Sequence, residues 1–358
     1  MRINLRSLLV LLLVWVTGAS AHACAICAPD NTQTNLVQRL LAADAAVLAG
    51  FAVAEADRTI DPIILEVIKG PLPVGAAVRQ PVRVVSADRA NAVQSVELLL
   101  FSGGTWRSVG TLGLERADWA RRLLTMSGTD WPKRLEAFAP DLESTEPLVA
   151  QTAYEEISIA PYAAMRGIAT HLNATRLSAW LNQPALAARR PLYALLLGMS
   201  GTPAHAIVLK QHISSMGRST PMNELSAYLA AYLELRGAAG VPWLERIFLR
   251  DAQCPDGKVQ AALQALRIHA DDGTRLSQER VVRAYALFIE HNPGRAGFVA
   301  SDLNKWERWE FTDVFVELLK SKSSQIFSSR YAMVFYLMRS PLPQAAAGLE
   351  ALHAQGVL

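Results

Sequence analysis

The sequence predicts an α+β chain, with a small β-rich module near the N-terminus and an all-α region from there to the C-terminus. Two changes in pattern carry this reading. From Ala45 to about Leu114, short runs rich in Val, Ile and Leu are separated by turn residues, the signature of strands. After Glu115 the alternation stops and apolar residues recur at helical spacing, beginning with Leu114, Trp119, Leu123 and Leu124. At 51% hydrophobic and 19% charged, the chain has ample material for a packed core and is too apolar to stay disordered.

Taken in order, a first helix is expected over Thr32 to Ala43, with Leu36, Leu40 and Leu41 on one face. Five strand-like runs follow: AAVLAGFAVAE, PIILEVIKG, VRQPVRVV, SVELLLFSG and TWRSVGTL. Pro62, Gly70-Pro71, Pro73, Gly75 and Gly103-Gly104 punctuate them, and five strands at such spacing predict a small antiparallel sheet or barrel. Beyond residue 115, prolines and glycines from Pro132 to Pro341 divide the chain into helices. Ser277-Gln278-Glu279 and Thr220-Pro221 are helix-start signals. Apolar landmarks at Leu195, Tyr232, Leu266, Leu303 and Leu337 stand roughly 34 to 37 residues apart, the period of paired-helix repeats that stack into an α solenoid.

The first 21 residues read as a secretory signal peptide. Arg2 and Arg6 are its basic start, Leu8 to Val16 its apolar run, and Ala19-Ser20-Ala21 its cleavage site. Cleavage after Ala23 is the alternative, so His22 or Cys24 begins the mature chain. The apolar run is shorter than the roughly 20 residues a spanning helix needs, and no stable membrane insertion is expected after cleavage. The organisation is then a leader over 1–21, a β-rich module over 22–114 and a helical repeat domain over 115–358. Formal charge is +3, and the leader takes Arg2 and Arg6 with it. The nearly neutral remainder gives no electrostatic case for nucleic acid. The expected location is the periplasm or the exterior.

Several segments carry a resemblance. Cys24-Ala-Ile-Cys27-Ala-Pro with Thr32 and Thr34, Ala43-Asp44-Ala45, and Val67-Ile68-Lys69-Gly70 resemble the front half of a group of uncharacterised bacterial exported proteins. Leu192-Tyr193-Ala-Leu-Leu-Leu197-Gly198, Ala265-Leu266-Arg267-Ile268-His269 and the stretch from Asp302 to Trp309 resemble that group's HEAT-like helical region. The resemblance implies the architecture and no activity, cofactor or site residue. The front half is also similar to netrin-like OB-fold modules, which begin at closely spaced cysteines and contain a "VxKG" strand end. The chain lacks the further cysteines those modules pair.

Chemistry-bearing residues are few. Cys24 and Cys27 form a CxxC, which in an oxidising compartment admits three readings: a closed disulfide, a thiol-redox pair, or a metal site. In the last, a free amine and imidazole at His22 would join the two thiolates, a donor set suited to copper. Ala28 stands where covalent haem attachment needs a histidine. Cys254 reads as an inert, part-buried thiol. His269-Ala-Asp271-Asp272 reads as a solvated helix end, and Arg189-Arg190 as a solvated helix start. Glu155 and Glu156 are adjacent on a helix and so point about 100° apart. Trp306 and Trp309 at i and i+3 share one helical face, which makes them core or an aromatic interaction patch.

A near-neutral helical array with no phosphate loop, nucleophile elbow or HExxH in its sequence is expected to bind an unidentified protein or peptide. The rival is thiol-redox or copper chemistry at the CxxC. N-terminal sequencing of the exported form should start at His22 or Cys24; an intact Met1 chain in the membrane fraction would contradict the leader assignment.

Overall fold

Each of the five strand-like runs contributes a strand among the described residues, only two residues long in the third run, and each strand ends at or just before a glycine or serine. The computed structural model describes residues 34–50, 61–85, 95–113, 116–126, 128, 130–272, 274–321 and 326–357. The strands are β1 (Ala45–Gly50), β2 (Ile63–Lys69), β3 (Val84–Val85), β4 (Ser95–Ser102) and β5 (Thr105–Gly113). They lie in the order β2-β1-β4-β5-β3. Gly103 and Gly104 have φ of 57° and 79° and join β4 to β5, the two positive values that a two-residue hairpin turn requires.

The sheet departs from the antiparallel expectation at one edge. β4 occupies one side of β5, leaving the other to β3, which runs parallel to it with Val84 opposite Trp106. The segment before β3 also reaches the opposite edge of the sheet. Ile63 bridges Pro81, Ile64 N–H donates to the Gln80 carbonyl at 3.1 Å, and Val82 N–H donates to that of Pro62 at 2.9 Å.

Helix α1 (Leu36–Ala42) starts where the Asn35 side chain accepts the Gln38 amide at 2.8 Å. Leu36, Val37 and Leu40 are buried, whereas Leu41 is exposed. Leu41 lies about 100° round the helix from Leu40, so the buried face takes in Val37 with Leu36 and Leu40 and leaves out Leu41, contrary to expectation. Lys69 Nζ caps the other end of α1, donating to the carbonyls of Leu40, Leu41 and Ala43 at 3.2, 2.5 and 2.6 Å. Gly70 follows with φ of 71°, where a Cβ would stand 2.2 Å from the Asp44 carbonyl oxygen. The Val67-Ile68-Lys69-Gly70 segment thus joins the end of β2 to the end of α1.

Helices follow at Ala117–Leu123 (α2), Trp131–Phe138 (α3), Pro147–Ser158 (α4), Tyr162–Gly167 (α5), Ala174–Trp180 (α6), Arg190–Ser200 (α7), Pro203–Ser215 (α8) and Met222–Arg236 (α9). The series continues with Val241–Leu244 (α10), Asp256–Asp272 (α11), Gln278–His291 (α12), Ala300–Lys305 (α13), Thr312–Lys320 (α14), Phe327–Arg339 (α15) and Pro343–Ala354 (α16). Among the described residues no strand lies beyond Gly113. The five apolar landmarks are all buried and fall on α7, α9, α11, α13 and α15. Helix α9 is buried from Leu225 to Glu234 and packs against α7, α8 and α11, as a helix apolar on all sides must.

Sheet and helices share one core. Ala46, Leu48, Val96, Leu98, Leu100 and Leu112 turn one sheet face toward α1 and the helices, and the apolar cluster runs on without a break to Leu352. The other face buries Val47, Ile64, Leu99 and Trp106 in a smaller cluster. Glu146 fastens the junction, accepting the Gly113 amide at 2.7 Å and Arg116 Nε at 2.6 Å.

Three carboxylates tie helices together, each holding an arginine and a tyrosine hydroxyl. Glu234 on α9, fully buried, accepts Arg166 through two hydrogen bonds of 2.8 Å, Arg275 at 3.0 Å and the Tyr162 hydroxyl at 3.1 Å. Asp302 on α13 lies 2.6 Å from Arg267 Nε of α11 and accepts the Tyr285 hydroxyl of α12 at 2.8 Å. Glu143 accepts Arg189 at 2.6 Å and the Tyr193 hydroxyl. Burial pushes all carboxyl pKa values up. At Asp302 burial wins and the carboxyl is raised despite Arg267. At Glu234 the hydrogen bonds of Arg166 and Arg275 outweigh burial and hold the carboxyl below its usual range.

Two expectations follow for stability. A group whose pKa is depressed by folding stabilises the protein above its unfolded value and loses that contribution as pH falls through the folded one. Glu234→Gln should therefore cost about 3 kcal/mol at pH 7, at the low end for a broken buried pair because Arg275 reaches solvent. The gap to the native chain should narrow in urea titrations as pH drops below about 4; parallel curves from pH 7 to 3 would contradict the assignment. At Gly297 a Cβ would stand 2.0 Å from the Ser329 carbonyl oxygen, whereas at Gly257 it meets nothing within 4 Å. Gly297→Ala should lower stability by about 1–3 kcal/mol, and Gly257→Ala should leave it equal or slightly higher. Equal melting shifts would contradict the close approach of α15 to the 293–299 turn.

Candidate functional site

His22, Cys24 and Cys27 lie outside the described residues, so the structure does not describe the CxxC. Among the described residues no group of three or more His, Cys, Asp and Glu side chains could hold a metal, and no helix is long and apolar enough to cross a membrane. Cys254 is buried and forms no disulfide among the described residues, and burial pushes its thiol pKa up, away from the thiolate a nucleophile needs.

The remaining sequence candidates divide. Glu155 and Glu156 do point apart: Glu155 accepts Gln151 at 2.9 Å, while Glu156 is buried against Arg134. Arg189 is not a solvated helix start, because Glu143 and Gln151 hold its guanidinium at 2.6 and 2.7 Å and it lies 5.3 Å above the Tyr154 ring. His269 is not solvated either. It is fully buried, with Nε2 donating to the Ala230 carbonyl at 2.9 Å and Nδ1 lying 3.7 Å from the Glu234 carboxylate. The His269 side of the last turn of α11 faces α9, which the polar residues around it conceal. Asp271, two residues on, is exposed and binds Lys305 at 2.9 Å.

Trp306 and Trp309 do not share a helical face. Helix α13 stops at Lys305, and Glu307 between the tryptophans has φ of 55°, which turns the chain. Trp306 stacks on Tyr285 at 5.6 Å and donates its indole N–H to Asp271 at 2.8 Å. Trp309, in a short turn of its own, lies 5.2 Å from the Tyr336 ring. Both are half-buried.

Trp309 nevertheless borders a hollow. A trough of about 630 Å³ runs between the 301–309 segment and the C-terminal end of α15, walled by Trp309, Phe335 and Pro341 and edged by Lys305, Glu307 and Arg339. A second hollow, of about 390 Å³, lies where the 73–76 turn and Arg83 meet Phe101 and Trp106. Along α15 itself, Phe327, Tyr331, Phe335 and Met338 are 82, 66, 45 and 68% exposed. Met333, Tyr336 and Leu337 of the same helix are buried on its opposite side. Sequence reading missed this stripe because α15 is apolar on both faces, and its only signal is aromatic and aliphatic residues in excess of one core-facing stripe.

Electrostatics near the trough are set by arginine. Arg308 reaches Glu279 at 2.9 Å and Glu310 at 2.6 Å. Burial raises the Glu310 carboxyl, but the hydrogen bond from Arg308 outweighs it and the net shift is downward. Among the described residues the trough holds no nucleophile beside a base; it offers an apolar ledge and a concave end, where Lys305 is paired with Asp271 and the neighbouring Arg308 with Glu279 and Glu310. Comparison with protein-family models, with curated proteins and with solved structures found no match for the chain.

Proposed function

We propose that this protein is an exported, non-enzymatic interaction platform, acting in the periplasm or outside the cell, in which a β-rich OB/netrin-like module carries a HEAT-like helical array that binds a protein or peptide. The observation that carries the proposal is the aromatic stripe on α15: four large apolar side chains in water, on a helix whose other face is locked into the core. Such surfaces mark interaction sites. Two further observations support the architecture. The pairings β2-β1-β4-β5-β3, with a single bridge from Ile63 back to Pro81, support the reading of a partly open five-stranded barrel. Placement of the five landmarks on alternate helices fits stacked helix pairs.

The rival reading puts function at Cys24 and Cys27 as a thiol-redox pair or, with His22, a copper site. Full-length exported protein and its Cys24→Ser/Cys27→Ser variant separate the two. On the platform reading the variant retains whatever partner the native chain captures from the envelope fraction. Its stability drops by under about 3 kcal/mol, the most expected from opening so short a loop. Loss of capture in the variant, together with loss of a measured thiol-exchange or copper-binding activity, would overturn the platform reading.

A further inference from the structure

We infer that the hollow beside the β4–β5 hairpin binds a small carboxylate with an aromatic body. The site lies on the sheet and uses no residue of α15, so the inference goes beyond the platform reading and does not depend on it.

Geometry sets the size and the apolar part of the ligand. Phe101 and Trp106 face each other across β4 and β5, their rings 5.1 Å apart and tilted by 51°, at the edge of the smaller apolar cluster. One wall is the 73–76 turn, closed by the Ala76 amide donating to the Pro73 carbonyl at 3.0 Å. The other is the 81–83 segment, held where the Val82 amide donates to the Pro62 carbonyl at 2.9 Å. Between them lie about 390 Å³, within the roughly 300–1,000 Å³ that small-molecule sites occupy. One aromatic ring on a short chain fits this space, whereas a partner helix about 10 Å across does not.

Polar groups set the chemistry. Arg83 is the charged residue of the lining; it is exposed and makes no ion pair or hydrogen bond among the described residues. No carboxylate, amide or imidazole side chain lines the hollow with it. Trp106 is buried, yet its indole N–H donates to no group among the described residues, although a buried tryptophan ordinarily finds an acceptor. The Thr105 hydroxyl is already committed, donating to the Ser102 carbonyl at 3.3 Å. The side-chain groups left to a ligand are therefore donors, and one of them carries an uncompensated positive charge. Donors without acceptors select oxygen acceptors, and a guanidinium matches the two oxygens of a carboxylate with parallel N–H groups. Inorganic phosphate would engage Arg83 and leave the aromatic pair without a contact; an amine would meet the guanidinium as a like charge. The same chemistry occurs in a free arylalkanoic acid and in a peptide that ends in phenylalanine.

The test is ligand-observed NMR on the full-length protein with phenylpropanoate as the probe. Phenylpropanoate should bind, with affinity falling as salt rises. Phenylpropanol should bind at least about threefold more weakly, and phenylpropylamine and acetate should not register. Arg83→Gln should weaken phenylpropanoate binding about threefold to fivefold, the range an exposed ion pair allows. Val74→Asp, which sets a carboxylate on the opposite wall, should weaken it as much, while Val74→Lys should hold or strengthen it. Val74 and Arg83 are both exposed, so all three variants should melt with the native chain. Tighter binding of Gly-Gly-Phe than of phenylpropanoate, lost when the peptide is amidated, assigns the carboxylate to a peptide terminus; the reverse order assigns it to a free acid. Absence of phenylpropanoate binding, equal affinity for acid and alcohol, or unchanged affinity in Arg83→Gln overturns the inference.

Discussion

Glu234 and Asp302 are carboxylates taken out of water inside a helical stack, and the stack depends on how they are satisfied. Removing a charge from water costs several kcal/mol, which only close counter-charges and full hydrogen bonding offset. At Glu234 two arginines and a tyrosine do so; at Asp302 an arginine and a tyrosine do. Because the partners come from α5, α11, α12 and the turn after α11, the helices are fixed in relative position as well as held together. Apolar packing alone would tolerate sliding of one helix past another, whereas a bidentate arginine does not.

This frame reaches the sheet. Helix α1 fills the angle between β1 and the helices, with Leu36 and Leu40 in the common core, and Lys69 ties its last carbonyls to the end of β2. Glu146 fastens the exit of β5 to the start of α4. The outcome is one continuous core in which the buried carboxylates are committed to structure. What it leaves for a partner is shape and apolar surface, concentrated where α15 faces solvent.

Much of this was legible in the sequence, and the failures have physical causes. The five strands were readable because branched residues and turn glycines sit in register with them, and Gly103-Gly104 announced its hairpin. The parallel placement of β3 was not, because it depends on which edge of β5 is left open, a tertiary fact. His269 misled because the polar turn after it implies water, while the neighbouring α9 supplies a buried carboxylate. The tryptophan pair misled because nothing in Trp306-Glu307-Arg308-Trp309 announces a left-handed residue at Glu307. The stripe on α15 escaped notice because sequence shows which residues are apolar and not which of two apolar faces finds a neighbour.

The central claim is that sheet and helical array form one frame, with α9 at its hub, on which the α15 surface is displayed. Native-state hydrogen exchange on the full-length chain tests it most directly. The account predicts that amides of β1, β4 and α9 share the slowest exchange, limited by one global opening, and that α15 is protected nearly as well despite its exposed side chains. Exchange of β1 and β4 through a separate, easier opening, with α9 unaffected, would show that the two parts stand independently and would contradict the account.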